Sequence, residues 1–395
     1  MKENRNGVRM LVAGSILQLF LGIIYVWSVF VAPVSKHLSW DLPAVKLTSS
    51  FMLGFFVLGI LFGGKLQAKT GTSPIVLVGG LLMAVGMLIT SFIPVSTPWI
   101  VYISYGVLGG FGVGMAYNAI ITAAQKWFPT KRGLATGISV CMFGFSTVVF
   151  APLVELLVNE FALVNTFRIL AVAFGVVTLI LFKFINLPSE QDIPAGSNPL
   201  MENKQYTTSE TIRSKSFYFI TLSMMFLTAA YFILNPSFKE LAGQRNISDG
   251  VATILVMITG IASATGRLVV PLLAGKIGRE KAIGSIIIAT AISTALLTFA
   301  TGALLIVAIA IIAFCYGGSS GAYPLITADY FGMKHLGSNY GAIMMGFALS
   351  ALTFPAIFGL INDQVVKFIA LAVVALLGAV MILLLSLTKN KKSEV

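Results

Sequence analysis

The chain has 395 residues, of which 57% are hydrophobic and only 10% are charged, and its formal net charge is +12. A soluble protein carries roughly 25% charged residues, so most of the surface of this chain must face lipid rather than water. The positive charge does not indicate a nucleic-acid partner, because the Lys and Arg residues lie in short segments between apolar runs, as in membrane proteins.

Twelve apolar runs predict an all-α membrane protein with twelve transmembrane helices. Each run has the length of about 20 residues that a helix needs to cross about 30 Å of hydrocarbon. The run after the basic N-terminus is too long for a signal peptide and has no small-residue cleavage pattern, so we interpret it as the first span. The predicted spans lie at 8–34, 45–66, 75–94, 98–122, 134–158, 165–186, 215–236, 249–273, 282–302, 304–327, 338–361 and 365–387.

The polar segment 187–213 divides the spans into two sets of six. It contains Pro188, Pro194 and Pro199, and we interpret it as a linker rather than a packed element. The chain is therefore divided into an N-terminal six-helix bundle at 1–186, a cytoplasmic linker at 187–213 and a C-terminal six-helix bundle at 214–395. With the N-terminus inside, nineteen basic residues fall on the cytoplasmic side and six outside, which predicts cytoplasmic termini and a plasma-membrane (bacterial inner-membrane) location.

The two halves resemble each other in sequence. GFGVGMAY at 110–117 has a counterpart in GSSGAY at 318–323, and Tyr117 and Tyr323 are 206 positions apart, while Gly137 and Gly341 are 204 apart. A near-constant offset indicates duplication of a six-span unit, a known transporter plan. The alternative is chance similarity between two glycine-rich membrane segments.

Arg267 is the most informative single residue, because it lies inside the eighth predicted span. An arginine in hydrocarbon is costly unless it faces a cavity or a partner, and its planar guanidinium suits bidentate binding of a carboxylate. The alternative is that it extends to the cytoplasmic face or pairs with a neighbouring helix. Lys276 lies nine residues further on, about 13 Å along a helix, which is long for such an extension.

Tyrosines lie well inside three spans, away from the membrane interface where tyrosine is common. These are Tyr25, Tyr117 and Tyr323 in spans one, four and ten. A buried phenol needs a hydrogen-bond partner, so each either lines a small polar cavity or forms a bond between helices. Gln18 shares a helix face with Tyr25 and is a further cavity candidate.

Other polar or small residues within spans are weaker candidates. Gly106, Gly110 and Gly114 are spaced for close helix packing, with Asn118 next on the same face. Glu155 and Asp329 are the acidic candidates for proton coupling; alternatively Glu155 is interfacial and Asp329 pairs with a cytoplasmic cation. Cys141 and Cys315 have no metal-ligand spacing, and we expect no metal and no cofactor.

Two loops resemble the cytoplasmic loop motif of the major facilitator superfamily, G-x-L-x-D-R-x-G-R. They read GGKLQAKTGTSP at 63–74 and PLLAGKIGREK at 271–281. The first copy has Ala68 at the acidic position and Thr72 at an arginine position. The second has Gly275 at the acidic position and keeps Gly278 and Arg279.

Four further segments together resemble the oxalate/formate antiporter family, which belongs to that superfamily and is related to the monocarboxylate transporters. They are YVWSVFVAP at 25–33, GVGMAYNA at 112–119, KWFPTKRGLATGI at 126–138 and GRLVVPLLAGKIGR at 266–279. The resemblance implies two six-helix bundles, alternating access and a small organic anion as substrate. It also implies that Arg267 is the essential arginine of span eight, that Tyr25, Tyr117 and Tyr323 are site aromatics, and that Phe143 stands where a tyrosine can occur.

Departures from that family bear on the substrate. Oxalate exchangers of the family carry a lysine in span eleven, whereas span eleven here (339–361) has no cation and holds Phe347 in the corresponding region. A dianion would leave one buried charge uncompensated, so a monocarboxylate fits better. Ser263 stands where related monocarboxylate transporters place an aspartate, which puts proton coupling through an Asp–Arg pair in doubt.

The sequence thus predicts a monomeric secondary transporter of a small monocarboxylate such as formate, lactate or pyruvate, working by proton symport or anion exchange. The alternatives are a carrier of another class, such as a dicarboxylate exchanger or a drug exporter, or a non-transporting membrane sensor. An enzyme is not expected, because no nucleophile–base pair, metal cluster or phosphate loop lies on a segment accessible to water.

Overall fold

The computed structural model describes residues 5–189, 192, 204–235, 238–245 and 249–393, and over these residues its regular structure is entirely helical. Short 3₁₀ segments lie at Gly22–Val26 and Phe182–Phe184, and a π-helical segment at Tyr102–Gly109 precedes α5. The α-helices are α1 Arg5–Leu21, α2 Trp27–Leu38, α3 Leu42–Thr70, α4 Thr72–Thr90, α5 Gly110–Trp127, α6 Arg132–Leu181, α7 Thr208–Arg213, α8 Lys215–Leu234, α9 Phe238–Gln244, α10 Asp249–Ile277, α11 Arg279–Leu296, α12 Gly302–Phe331, α13 Leu336–Ile343, α14 Met345–Phe358 and α15 Gln364–Ser393.

Ten helical stretches among the described residues are long and apolar enough to cross a membrane. One of them, Arg132–Phe184, has 53 residues, more than twice the length that a single span needs. Ala162 within it has non-helical dihedral angles (φ 60°, ψ 163°), so predicted spans five and six meet there. Predicted span nine corresponds to α11, an 18-residue helix outside the ten stretches. Each predicted span therefore has a helix, and the all-α fold class is confirmed.

The chain forms two compact units. Unit 1 comprises residues 1–135, 142–205 and 333–341, and unit 2 comprises 136–141, 206–332 and 342–395. The main division falls between Gln205 and Tyr206, inside the predicted linker. The short segments 333–341 and 136–141 each pack with the unit formed mainly by the other half of the sequence, which the predicted domain division does not include.

Close backbone contacts at glycines join α3 and α5 in unit 1. A methyl group on Gly114 would overlap the carbonyl oxygen of Phe56, and one on Gly59 would overlap that of Phe111. In a membrane, where helices gain no hydrophobic energy from meeting each other, such contacts let the helices associate through close packing.

Unit 2 repeats this arrangement between α10 and α12. A methyl group on Gly317 would overlap the carbonyl oxygen of Ser263, and one on Gly266 would overlap that of Phe314. Gly317 is 203 positions after Gly114, and Ser263 is 207 positions after Phe56. The same pair of contacts thus recurs at almost the same offset, which supports the duplication that the sequence indicates.

The described end of the predicted linker 187–213 is not the unpacked segment that we expected. Thr207 caps α7 through a capping box with Glu210, and the amide of Tyr206 donates to the carbonyl oxygen of Phe331. The prediction is wrong for these residues. Side-chain caps and a hydrogen bond to α12 satisfy their backbone groups, and the polar composition of the segment does not reveal such bonds. Residues 190, 191 and 193–203 lie outside the described residues.

Candidate substrate-binding site

Arg267 lies in the middle of the membrane-spanning part of α10 and is only 2% exposed. The helix α12 packs against α10 at this position, where Gly321 lies against the backbone carbonyl oxygen of Arg267. A short piece of α6 reaches the same place, where Gly137 packs against the backbone of Leu268, the residue after Arg267. Arg267 is thus a buried cation at the meeting of three helical segments of unit 2.

An aromatic cluster of unit 2 comprises Tyr231, Phe232, Tyr316 and Phe347. The rings of Tyr231 and Tyr316 are stacked, with centroids 3.7 Å apart and planes at 9°. Phe347 contacts Phe232 edge to face at 4.9 Å. Sequence reasoning singled out only Phe347 of these four. Tyr316 lies seven residues before Tyr323, two helical turns away on the same face of α12, and that spacing is a signal that would have found it.

Tyr323, in contrast, is a helix-to-helix contact. It is fully buried, and its hydroxyl lies 3.0 Å from Oγ of Ser223 on α8. Because the Ser223 hydroxyl donates to the carbonyl oxygen of Ile220, the phenol of Tyr323 donates to Ser223. This is the second of the two roles that a buried tyrosine was expected to have, and a substrate contact of Tyr323 remains a prediction.

A second aromatic cluster, in unit 1, brings together three of the predicted residues. The ring of Phe143 lies 4.7 Å from that of Tyr117 and 5.4 Å from that of Tyr25, centroid to centroid. Phe56 joins them at 5.3 Å from Tyr117. Gln18 is held beside the cluster, because its amide donates to the carbonyl oxygen of Tyr117 at 3.2 Å. Phe56 had no signal in its own sequence context, since it is one phenylalanine among many apolar neighbours.

Asn118 lies one residue beyond Tyr117 but is engaged with the backbone. Its amide nitrogen donates to the carbonyl oxygens of Ile60, at 3.1 Å, and of Gly337, at 2.8 Å. Both amide hydrogens are thereby used, and only the side-chain carbonyl oxygen remains, which does not suit an anion. The function proposed below therefore gives Asn118 no part in the Arg267 site.

The two acidic candidates lie in different surroundings. Glu155 is exposed on α6. Asp329 forms an ion pair with Arg279 at 3.1 Å, and the two side chains are 24% and 12% exposed. Next to this pair, Tyr330 donates to the carboxylate of Glu280 at 2.9 Å. Asp329 thus pairs with a cation of the segment 271–281, which is the alternative that the sequence left open for it.

The described residues contain no group of three or more His, Cys, Asp or Glu that could hold a metal ion. Cys141 and Cys315 are free thiols. The described residues do include a buried guanidinium, that of Arg267, which is a group that can bind a carboxylate with two parallel hydrogen bonds.

The chain belongs to the major facilitator superfamily, whose family model matches residues 12–230 and 220–395. Among curated relatives, it is 29% identical to the uncharacterized MFS-type transporter YhjX of Escherichia coli (strain K12), over 87% of this chain and 85% of that protein. It is 26% identical to the oxalate:formate antiporter of Oxalobacter formigenes, over 86% and 79%. It is also 26% identical to monocarboxylate transporter 13 of Bos taurus, over 63% and 57%.

Solved structures agree on the fold. The chain is similar to the human organic anion transporter MFSD10, with a TM-score of 0.72 at 15% identity, over 97% of this chain and all of that one. It is similar to the proton:xylose symporter XylE, with a TM-score of 0.71 at 14% identity, over 95% of each. The major facilitator fold and the resemblance to the oxalate/formate antiporter family are thus confirmed.

Proposed function

We propose that this protein is a secondary active transporter that moves a small monocarboxylate, of the formate, lactate or pyruvate type, by alternating access. The observation that carries the proposal is Arg267, 2% exposed within a membrane-spanning helix. Placing an arginine at the centre of a membrane helix costs roughly 2.5–3.5 kcal/mol on insertion scales. A carboxylate that binds the guanidinium offsets that cost with two parallel charge-assisted hydrogen bonds.

The charge balance favours one carboxylate over two. Span eleven contains no Lys or Arg and places Phe347 in the aromatic cluster of unit 2. A second carboxylate beside Phe347 would be desolvated without a cation, which is strongly unfavourable. The methyl group of pyruvate or lactate would instead contact aromatic surface.

The proposal is tested by ligand-induced thermal stabilisation of the purified protein with formate, lactate, pyruvate and oxalate. We expect a monocarboxylate to raise the melting temperature of the wild type and to have no such effect on Arg267→Ala. Arg279→Ala is the matched control, since it removes a partly buried arginine outside the proposed site and should leave the ligand-induced shift in place. Stabilisation by oxalate alone would contradict the monocarboxylate assignment, and an undiminished shift in Arg267→Ala would contradict the role of Arg267.

Uptake into proteoliposomes distinguishes the two coupling modes, anion exchange and proton symport. Under anion exchange, internal substrate accelerates uptake of labelled external substrate, whereas under proton symport an inward proton gradient drives net uptake. Ser263, one turn before Arg267, offers no carboxyl group to carry the proton. We therefore favour exchange, and net uptake driven by a proton gradient would contradict it.

We propose that the chain works as a monomer in the plasma membrane of a bacterium, with both termini in the cytoplasm. The nineteen basic residues assigned to the cytoplasmic segments, against six outside, support this orientation. A fluorescent protein fused after Val395 should fluoresce and a fused alkaline phosphatase should be inactive; the reverse result would overturn the orientation.

A further inference from the structure

Unit 2 contains a pocket of about 400 Å³ where three membrane-spanning helices begin or end. One spanning stretch begins at Lys215, two others end at Phe331 and Thr388, and all three residues line the pocket. The pocket therefore lies at the edge of the membrane, at the depth of the lipid head groups. Its volume is within the range of about 300–1,000 Å³ that is typical of ligand pockets.

The helices α8 and α15 form two walls of the pocket. They pack against each other, and a methyl group on Gly378 of α15 would lie in contact with the carbonyl oxygen of Ser223 of α8. Ser223 is eight residues after Lys215, and Gly378 is ten residues before Thr388. The two helices thus run in opposite directions, and the start of α8 lies beside the end of α15.

The end of α12 and the segment before α7 form the remaining wall. The amide of Tyr206 donates to the carbonyl oxygen of Phe331 at 3.0 Å, and the two rings meet edge to face with centroids 5.8 Å apart. Ser214, which also lines the pocket, caps α8 by accepting a hydrogen bond from the amide of Phe217. Helix packing and hydrogen bonds therefore fix the shape of the pocket.

Lys215 carries the charge of the pocket that is not matched within the fold. Its side chain is exposed and forms no ion pair with any residue that the structure describes. Asp329, the other charged residue of the lining, is paired with Arg279 at 3.1 Å, and the neighbouring Glu280 accepts a hydrogen bond from Tyr330. The unmatched charge at the pocket is therefore positive, and the first turn of α8 adds the partial positive charge of a helix N-terminus.

Exposed apolar side chains continue from the pocket along the membrane-facing surface. Tyr218 lies one turn after Lys215 on the same face of α8 and is 52% exposed. Leu384 lies one turn before Thr388 on α15 and is 37% exposed. A ligand with an anionic head and apolar chains matches both surfaces at once, whereas a soluble anion matches only the cation.

The sequence adds further positive charge at the same end of α15. The residues after Thr388 read KNKK at 389–392, and α15 extends to Ser393. A group of lysines just beyond a membrane-spanning stretch is typical of segments that attract anionic lipids of the cytoplasmic leaflet. The charge pattern and the position of the pocket thus favour the same kind of ligand.

We propose that this pocket binds the head group of one anionic phospholipid. The phosphate binds the ammonium group of Lys215, with the hydroxyl of Ser216 as a further donor, and the acyl chains lie along Tyr218 and Leu384. A lipid bound in this way contacts the ends of α8, α12 and α15 and stabilises unit 2. The proposal does not depend on the transported substrate; only the choice of the cytoplasmic leaflet rests on the orientation proposed above.

Thermal unfolding and native mass spectrometry of the full chain in detergent test the proposal. We expect phosphatidylglycerol, compared with phosphatidylcholine, to raise the melting temperature by several degrees and one molecule of it to stay bound in the mass spectrum. Lys215→Gln should lose most of the shift and the bound lipid, whereas Lys215→Arg should keep both. Arg213→Gln is the matched control, because Arg213 is an exposed cation two residues earlier that does not line the pocket.

Two results would contradict the site. If Lys215→Gln and Arg213→Gln reduce the shift equally, the lipid is attracted by the basic surface as a whole and not by the pocket. Ser216→Leu keeps the charge of Lys215 and fills part of the pocket, so it should also lose the bound lipid; a lipid retained there would place the binding elsewhere.

Soluble phosphates distinguish the source of the head group. Inorganic phosphate and glycerol 3-phosphate carry the anionic group without acyl chains, and we expect neither to stabilise the wild type as phosphatidylglycerol does. An equal shift that Lys215→Gln abolishes would show that the pocket binds a soluble phosphate and would overturn the lipid assignment. The formate-induced shift should persist in Lys215→Gln, so a failure of this proposal leaves the proposed function intact.

Discussion

Gly114 of α5 lies against the backbone carbonyl oxygen of Phe56 of α3, in a contact that leaves no room for a methyl group. The equivalent contact in the second half is that of Gly317 with Ser263. Because these glycines bring the backbones of spans two and four, and of spans eight and ten, into direct contact, they set how closely each pair of helices packs.

Gly114→Ala should therefore lower the stability of the protein. Forcing a methyl group into a closely packed contact costs typically about 1–3 kcal/mol, which outweighs the gain in helix propensity of about 1 kcal/mol. Gly54→Ala on α3 is the control, because a methyl group there meets nothing within 4 Å. Thermal unfolding in detergent should show a lower midpoint for Gly114→Ala only; equal midpoints would contradict the contact.

Tyr323→Phe should destabilise the protein without weakening substrate binding. The substitution removes the hydrogen bond to Ser223 in a buried site, at a cost of about 0.5–1.5 kcal/mol. The measurements are the melting temperature and the Kd for the monocarboxylate. A weaker Kd at an unchanged melting temperature would show instead that the phenol contacts substrate, as the sequence resemblance implies. Ser223→Ala should lower stability similarly, and the double variant should cost less than the sum of the two.

Tyr316→Ala should weaken binding of a monocarboxylate that has an apolar part, such as lactate or pyruvate, more than it weakens binding of formate. The ring of Tyr316 stacks on Tyr231 and adjoins Phe347. The interaction free energy of such an aromatic pair is about 0.5–1.5 kcal/mol beyond that of its buried area. Tyr316→Phe keeps the stack and is the control. Equal losses for formate and lactate, measured by competition for uptake, would contradict this role.

Asp329→Asn should cost stability, about 1 kcal/mol given the partial exposure of its ion pair with Arg279. It should leave the pH dependence of transport unchanged, because Asp329 forms a structural ion pair with Arg279 and is given no part in the proposed transport site. The exchanged pair Arg279→Asp with Asp329→Arg should recover part of the loss. A shifted pH profile at unchanged stability would support the proton-coupling role instead, and Glu155→Gln, at an exposed position, is the parallel control.

Most features of the candidate site that the sequence did not predict are contacts between residues far apart in sequence. Tyr25, Tyr117 and Phe143 were predicted as site residues and do lie together, but Phe56 completes their cluster from α3. The stack of Tyr231 and Tyr316 likewise joins α8 to α12. Spacing along one helix tells which residues share a face, whereas the choice of neighbouring helix depends on packing that no single segment specifies.

The sequence by itself determined that the chain is an all-helical membrane protein, because a hydrocarbon layer requires apolar runs of about 20 residues and backbone hydrogen bonds satisfied within each run. It also identified Arg267 as a candidate functional residue, since a cation in such a run is costly unless it faces a cavity or a partner. Only the tertiary structure decided that the amide of Asn118 is used by Gly337, 219 positions away, and that Met333–Gly341 packs with unit 1. Such contacts depend on how closely glycine backbones approach, which is a property of the packed helices rather than of any one of them.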